Sequence, residues 1–382
     1  MPADSPAAGR PRLALDTYVL AQGIKTGVYR VCDELFPLLV RSERMDIRLY
    51  FRPNDHEKIS SLQERLDAPL HSAPRPSGDA DILLSPFGVA PSDWKDDRSV
   101  LQAHIVYDLI AIKHPDYFSA EGAAEVRRIM ESLDEHTVVF SISEFTKADL
   151  LSFRPELRAD QITVIPLAAG ERFRPCGDVA ARATCRAKYG IPPGVPYLLS
   201  LATLEIRKNL DRVIHALVRH LEQNPESDLH LVLSGMSGWK LEQLHKALGA
   251  AERWRHRIVL TGFVDDADLS ALYSDALCFA YLSRYEGFGL PPLEAMACGT
   301  PVICADNSSL PEVVGRAGLM FDADDIQGVA DAIGRIASSP TLRQSLSEAG
   351  LARARLFDWQ RCADLIIETL VVAHERRRAV DR

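Results

Sequence analysis

The sequence lacks most of what would carry a chain out of the cytoplasm or into a bilayer. No run of about 18 apolar residues free of charge occurs in it, so no membrane-spanning helix is expected. Residues 1–9 are rich in proline, alanine and serine and show no basic segment leading into an apolar one, so no secretory leader is expected. Seven cysteines stand at 32, 176, 185, 278, 298, 304 and 362 without a Cys-x-x-Cys pair. An odd, scattered set is neither a disulfide framework nor a zinc site. Several lie in apolar runs, where cysteine is a small core residue. Basic residues are outnumbered, 44 Lys and Arg against 53 Asp and Glu, for a net charge of −9. A protein that wraps nucleic acid needs a basic surface, so no nucleic-acid partner is expected. The reading is a cytoplasmic protein whose membrane contact is at most peripheral, at the inner face of the cytoplasmic membrane. Arg376, Arg377 and Arg378 are the cations at hand for it.

What is present is ordinary globular composition, 47% hydrophobic and 25% charged, over 382 residues. That length exceeds the usual single core and predicts two domains. In the first half, strand-like runs at 13–16, 47–51, 81–85, 104–107, 137–141 and 162–165 alternate with helical patterns at 28–40, 121–133 and 144–151. The second half repeats the theme. Strands are expected at 197–201, 229–233, 258–260, 276–281, 301–304 and 319–321, and helices at 209–221, 241–248 and 327–336. One or two closing helices are expected over 358–378. Such alternation predicts parallel sheets with crossovers. Between the halves, 176–196 is dense in proline and glycine and reads as a linker. The expected division is 1–187, 188–357 and a closing segment 358–382.

The chemistry concentrates at 285–299, which reads Tyr-Glu-Gly-Phe-Gly-Leu-Pro-Pro-Leu-Glu-Ala-Met-Ala-Cys-Gly. Glu286 precedes a glycine-bearing turn, and Glu294 lies four residues beyond Leu290, about one turn into the following helix. Gly287, Phe288, Gly289 and Leu290 offer backbone N–H groups to an anion at a helix start. Amides for phosphate and carboxylates for hydroxyls suit a phosphorylated, hydroxyl-rich ligand. Arg207 and Lys208, between a strand and a helix, are on their own an ordinary solvated pair. Beside the acidic motif they offer a guanidinium fork and an ammonium to a departing diphosphate. Glu294 has apolar neighbours, so a specific partner is expected for it. The trios Asp265, Asp266, Asp268 and Asp322, Asp324, Asp325 look like metal ligands at first sight but read as polar turns before helices.

Glu286-x-Phe288-Gly289-x-x-x-x-Glu294 resembles the donor-site signature of retaining, nucleotide-sugar-dependent glycosyltransferases of family four. The likeness continues through 295–302 and 307–312, reaches back to 205–209 and 262–264, and is dense from about residue 197 to 359. It is similar in particular to bacterial mannosyltransferases of O-antigen and exopolysaccharide assembly. The resemblance implies an α/β architecture, the GT-B fold: two Rossmann-like domains facing across a central cleft, with a C-terminal helix crossing back to the N-terminal domain. It implies an N-terminal domain that binds the acceptor, a C-terminal one that binds the nucleotide sugar, no cofactor and no metal. It implies Glu286, Arg207 and Lys208 as catalytic residues and Glu294 at the ribose hydroxyls. The donor would also meet the amides of Gly287, Phe288, Gly289 and Leu290, with Gly262 and Phe263 near the base and Gly27 beneath the sugar diphosphate. Lys25 and Arg30, in the loop around Gly27, are candidates for acceptor phosphate or donor contact, and His114, Tyr117, Arg154 and Arg158 are candidates for, or ordinary structural residues near, the acceptor.

One segment departs from the family pattern. Where many relatives carry a His-Asp pair after a strand, this chain has Tyr107-Asp108, with His104 three residues earlier. Strand residues three apart face opposite sides, so His104 is no simple substitute. A tyrosine cannot cycle a proton near neutral pH as histidine does. The expected function is transfer of a hexose, mannose from GDP-mannose, to a hydroxyl of a polyprenyl-diphosphate-linked or growing surface glycan. UDP-glucose or GDP-fucose as donor, and a noncatalytic sugar-nucleotide-binding scaffold, are the alternatives. An NAD-dependent dehydrogenase is disfavoured, because Gly23-x-x-x-Gly27 is not the Gly-x-Gly-x-x-Gly pattern.

Overall fold

Short runs of branched and aromatic residues, bounded by turns, form strands buried on both faces, as a parallel sheet covered by helices requires. The computed structural model describes residues 10–23, 26–50, 66, 70–71, 80–88, 94, 97 and 99–380. The chain divides into two units, Met1–Leu167 with Trp359–Arg382, and Ala168–Asp358.

In the first unit the strands are β1 (Arg12–Asp16), β2 (Asp46–Tyr50), β3 (Leu70–His71), β4 (Ile82–Ser85), β5 (Leu101–Val106), β6 (Val138–Ser141) and β7 (Ile162–Val164). They pair in parallel in the order β3-β2-β1-β4-β5-β6-β7. The chain steps outward from β1 to β3, then returns to lay β4 on the other side of β1. Open α/β sheets bind ligands beyond the carboxyl ends of the strands at such a reversal. Helix Gly27–Val40 starts after β1, where Thr26 caps it by accepting from the Tyr29 amide at 3.2 Å. It buries Val31, Cys32, Leu35, Phe36 and Leu39. The long helix Trp359–Val380 belongs to this unit and packs on Gly27–Val40 through a stripe that includes Cys362, Ile366, Ile367 and Leu370. Among the described residues no helix is long and apolar enough to cross a membrane.

The second unit holds β8 (Tyr197–Leu201), β9 (His230–Ser234), β10 (Ile258–Gly262), β11 (Cys278–Tyr281), β12 (Val302–Ala305) and β13 (Leu319–Phe321). Their order is β10-β9-β8-β11-β12-β13, all parallel, with the reversal between β8 and β11. Leu198, Leu231, Leu233 and Ile303 from the sheet meet Val213, Ile214, Leu217 and Ile333 from its helices in one core. The division between units falls at Leu167, ahead of the proline- and glycine-rich stretch. The reason is that helix Val179–Lys188 packs on helix Leu269–Asp275. Both units are parallel, Rossmann-like sheets, and the C-terminal helix is part of the first.

Candidate active site

The reversal between β8 and β11 brings together side chains 78 residues apart in sequence. Beyond β8 the chain makes a tight turn, Ile206–Lys208, and enters the next helix through Asn209 in the left-handed region, φ 58°. The Asn209 amide donates to the carbonyls of Leu282 at 3.0 Å and Ala323 at 2.9 Å, pinning this turn to the one beyond β11. Lys208 Nζ then donates to Glu286 Oε1 at 2.7 Å, and Arg207 Nη1 lies 2.9 Å from the same oxygen. Tyr281, the last residue of β11, donates from its hydroxyl to that oxygen at 2.8 Å and accepts from Lys208 Nζ at 2.8 Å. Arg207 Nη2 reaches Glu205 Oε1 at 2.7 Å, and its Nη1 donates to the Tyr285 carbonyl at 2.8 Å.

Two cations and two carboxylates thus form a nearly water-free knot, none with more than 14% of its side chain exposed. Burial pushes the Glu286 carboxyl up, but Arg207 and then Lys208 outweigh it and hold the group at about 2. Lys208 is pulled below its ordinary value, first by burial and then by Arg207, against the attraction of Glu286 and Glu205. Glu286 is therefore an anion at neutral pH.

The turn after Glu286 is held from below. Ser309 Oγ lies 2.9 Å from the Glu286 carbonyl and 2.5 Å from that of Phe288, and Ser308 Oγ accepts from the Glu286 amide at 3.0 Å. Gly289, φ 129°, opens helix Leu290–Ala297. An L side chain is strained at that φ, and a Cβ there would also meet Leu310 Cδ2 at 2.9 Å, so the position favours glycine. Pro291 and Pro292 follow Leu290 in the first turn of this helix and carry no N–H, so the amide donors of the turn are confined to residues 287–290. Glu294, 2% exposed, has the partner its surroundings demanded: the Tyr273 hydroxyl donates to its Oε2 at 3.0 Å.

The other expected residues are spread over both units. Gly262, φ 68°, ends β10 and its carbonyl accepts from the Gly235 amide at 2.9 Å, while Phe263 stands 45% exposed beside it. Gly27 is the first residue of its helix, and a Cβ on it would meet nothing within 4 Å. Nothing in the fold itself demands glycine there. Lys25 lies outside the described residues. Tyr107 follows β5 and is buried beside the Cys32 and Cys362 thiols, with burial raising its phenol well above 10. His104 is buried on β5, where burial lowers it to about 4 and keeps it neutral. His114 stacks on Tyr117 at 5.2 Å. Arg154 donates to the carbonyls of Met130 and Leu133, closing the end of helix Ala120–Glu131, and Arg158 pairs with Asp160.

The aspartate trios have cationic and helix-capping partners. Asp265 and Asp268 hold Lys188 at 2.7 and 2.6 Å, and Asp266 pairs with Arg172 at 3.3 Å. Asp324 binds Arg212 and Arg284, and Asp325 caps the helix Ile326–Ser338. Among the described residues no group of three His, Cys, Asp or Glu is placed to hold a metal ion. Sequence reading gave no role to Tyr281, Asn209, Ser308 or Ser309. The available signals were a polar tip or short polar side chain inside otherwise apolar or turn-forming stretches and, for Asn209, Ser308 and Ser309, a place within the segments that resemble the family.

The chain has relatives among known proteins. The profile of the family described as glycosyl transferases group 1 matches residues 181–353. O-antigen chain mannosyltransferase B of Escherichia coli is 33% identical over 269 residues, covering 70% of this chain and 68% of that one. The serotype-specific mannosyltransferase WbdA of Escherichia coli is 33% identical over 237 residues, and this chain spans 28% of its length. Among solved structures, Anabaena HepE in complex with UDP and glucose superposes with a TM-score of 0.68 at 17% identity, covering 95% of this chain and 99% of that one. That superposition establishes a shared two-sheet fold. With the matched profile, the E. coli relative covered over more than two thirds of its length and the two parallel units, this chain belongs to the group 1 glycosyl transferases: it is a GT-B glycosyltransferase of family four, related to the bacterial O-antigen and exopolysaccharide mannosyltransferases.

Proposed function

We propose that this enzyme transfers a mannosyl residue from GDP-mannose to a hydroxyl of a polyprenyl-diphosphate-linked or growing surface glycan, with retention of anomeric configuration. The observation that carries the reading is the knot at the β8–β11 reversal, where Arg207 and Lys208 flank a carboxylate fixed as an anion. As the bond between C1 and the β-phosphate oxygen breaks, negative charge grows on the diphosphate, and the two cations stabilise it. The acceptor oxygen bonds to C1 on the face the diphosphate leaves, and its proton passes to the departing β-phosphate oxygen. No protein nucleophile takes part. Glu286 holds the sugar hydroxyls and offsets positive character at C1, and Glu294 takes the ribose hydroxyls. The amides of Gly287, Phe288, Gly289 and Leu290 receive phosphate oxygens. Gly262 and Phe263 flank the base, and Gly27 lets the first unit approach the diphosphate. An acceptor on a lipid carrier places the work at the inner face of the cytoplasmic membrane.

The mannosyl assignment rests on similarity to the E. coli O-antigen enzyme. A donor panel on the purified chain tests it, with GDP-mannose, GDP-fucose and UDP-glucose supplied in turn and products read by mass and anomeric NMR signals. GDP-mannose should be turned over fastest and give an α-linked product. Preference for a UDP-sugar would replace the donor, and a β-linked product would end the retaining reading. Absence of both transfer and donor hydrolysis would leave a sugar-nucleotide-binding scaffold. Within the same assay, Lys208→Ala should lower kcat by about 100- to 1,000-fold.

A further inference from the structure

We infer that Tyr281 is a positioning residue of this transfer: its hydroxyl, itself held by Glu286, fixes where Lys208 stands when the diphosphate departs. The inference rests on the roles proposed above for Arg207, Lys208 and Glu286.

Tyr281 is 2% exposed, at the carboxyl end of β11 and in register with Cys304 of β12. Its ring stacks on Phe279 at 5.9 Å and 19°, so the hydroxyl has little freedom. An apolar side chain would serve the sheet as well here, and a buried hydroxyl needs a reason. The hydrogen inventory supplies one. A neutral phenol has one hydrogen, and an ammonium only donates. Lys208 must therefore donate to Tyr281, and Tyr281 must donate to Glu286, at 2.8 Å in each case. Burial, and then the charge of Glu286, keeps the phenol protonated. Lys208 has three N–H donors; one goes to Glu286 and one to Tyr281. The third is thereby aimed and left for a ligand oxygen. Glu286 Oε1 in turn accepts from Lys208 and Tyr281, with the Arg207 guanidinium 2.9 Å away. Losing the hydroxyl removes one of two anchors from the ammonium and one of the two donors to that carboxylate oxygen.

Tyr281→Phe in the full chain should lower kcat by about 10- to 100-fold, the range for a hydrogen bond to a charged group. The KM for GDP-mannose should move less than about threefold, because the aimed donor matters most when charge has developed. A double-mutant cycle reads the route. In a Lys208→Ala background, Tyr281→Phe should have little further effect. Wild-type kcat in Tyr281→Phe, beside a crippled Lys208→Ala, overturns the inference alone. A full additional loss in the Lys208→Ala background also overturns it, since the hydroxyl would then act by another route. If Lys208→Ala itself keeps full activity, the site reading falls instead. Should Tyr281→Phe fail to fold, 3-fluorotyrosine at 281 keeps the shape and weakens the oxygen as an acceptor. A kcat lowered several-fold with unchanged melting supports the role, and an unchanged kcat sinks it.

Discussion

Glu286 carries a charge that burial opposes and two neighbouring cations secure. Its folded value of about 2 lies below its ordinary 4.5, so its ionisation stabilises the fold above pH 4.5. That contribution is lost as pH falls from 4.5 toward about 2, and at about 1.4 kcal/mol per pH unit it is on the order of 3 kcal/mol. Glu286→Gln should therefore be less stable than the parent at pH 7, and the gap should shrink as pH falls through 4. Urea midpoints measured at pH 7, 5 and 3.5 test this, and a gap constant across that range would mean the charge is not what holds the site. Tyr107 makes the opposite case. Sequence comparison marked it as standing where relatives carry histidine, but its hydroxyl is buried against the Cys32 thiol, with Cys362 in the neighbourhood. A thiol is a weak hydrogen-bond partner, so removing the hydroxyl costs little. Tyr107→Phe should melt close to the parent temperature and keep kcat within about threefold. A hundredfold loss would restore Tyr107 to the chemistry.

The turn from Ser283 to Leu290 shows at the element scale what the sequence could and could not disclose. Gly287, Gly289 and the paired carboxylates were legible, because a turn running into a helix has its own composition. Most strands were legible too: β8 and β13 fall where their apolar runs lie, β3 was not expected, and the others differ by a residue or a few at their ends. Helix Pro340–Ala354 was not expected, since it buries only Leu346 and Gly350 and so carries no continuous apolar stripe. Nor does periodicity reveal strand order, so the meeting of residues 205–208 with 281–286 follows from β8 lying beside β11, a tertiary fact. The support beneath the turn was equally hidden, because Ser309 acts on carbonyls more than twenty positions away. Ser309→Ala should strand those buried carbonyls and cost about 1–3 kcal/mol, read by thermal melting. Gly289→Ala places a methyl against Leu310 in a backbone region foreign to L-residues. It should cost about 1–3 kcal/mol from strain alone. A melt unchanged by either substitution would show that the turn is not held in this way.

At the scale of the molecule, the second unit has its own sheet and core within one stretch of chain, whereas the first is completed by residues from the far end of the sequence. Trp359, Cys362, Ala363, Ile366, Ile367 and Leu370 are all at most 8% exposed, and the helix bearing them lies on Gly27–Val40. Sequence pattern alone reads 358–378 as one or two closing helices; that the segment closes the unit begun by β1 depends on chain path, not local pattern. Deleting a large buried side chain costs about 2–5 kcal/mol, and a domain has only about 5–15 kcal/mol to lose. Ending the chain after Asp358 should therefore unfold the first unit while sparing the second. Hydrogen exchange followed by mass spectrometry distinguishes the two, because core strands open only with the unit that contains them. Amides of β1, β4, β5 and β6 should exchange freely in the shortened chain, and those of β8, β9, β11 and β12 should stay protected. Protection retained in β1 and β4 would mean that the helix is an appendage, and loss of protection in both sheets would mean that the second unit leans on the first. Donor binding adds an independent measure: the knot around Glu286 lies wholly within the second unit, so the shortened chain should lose transfer yet still bind the nucleotide.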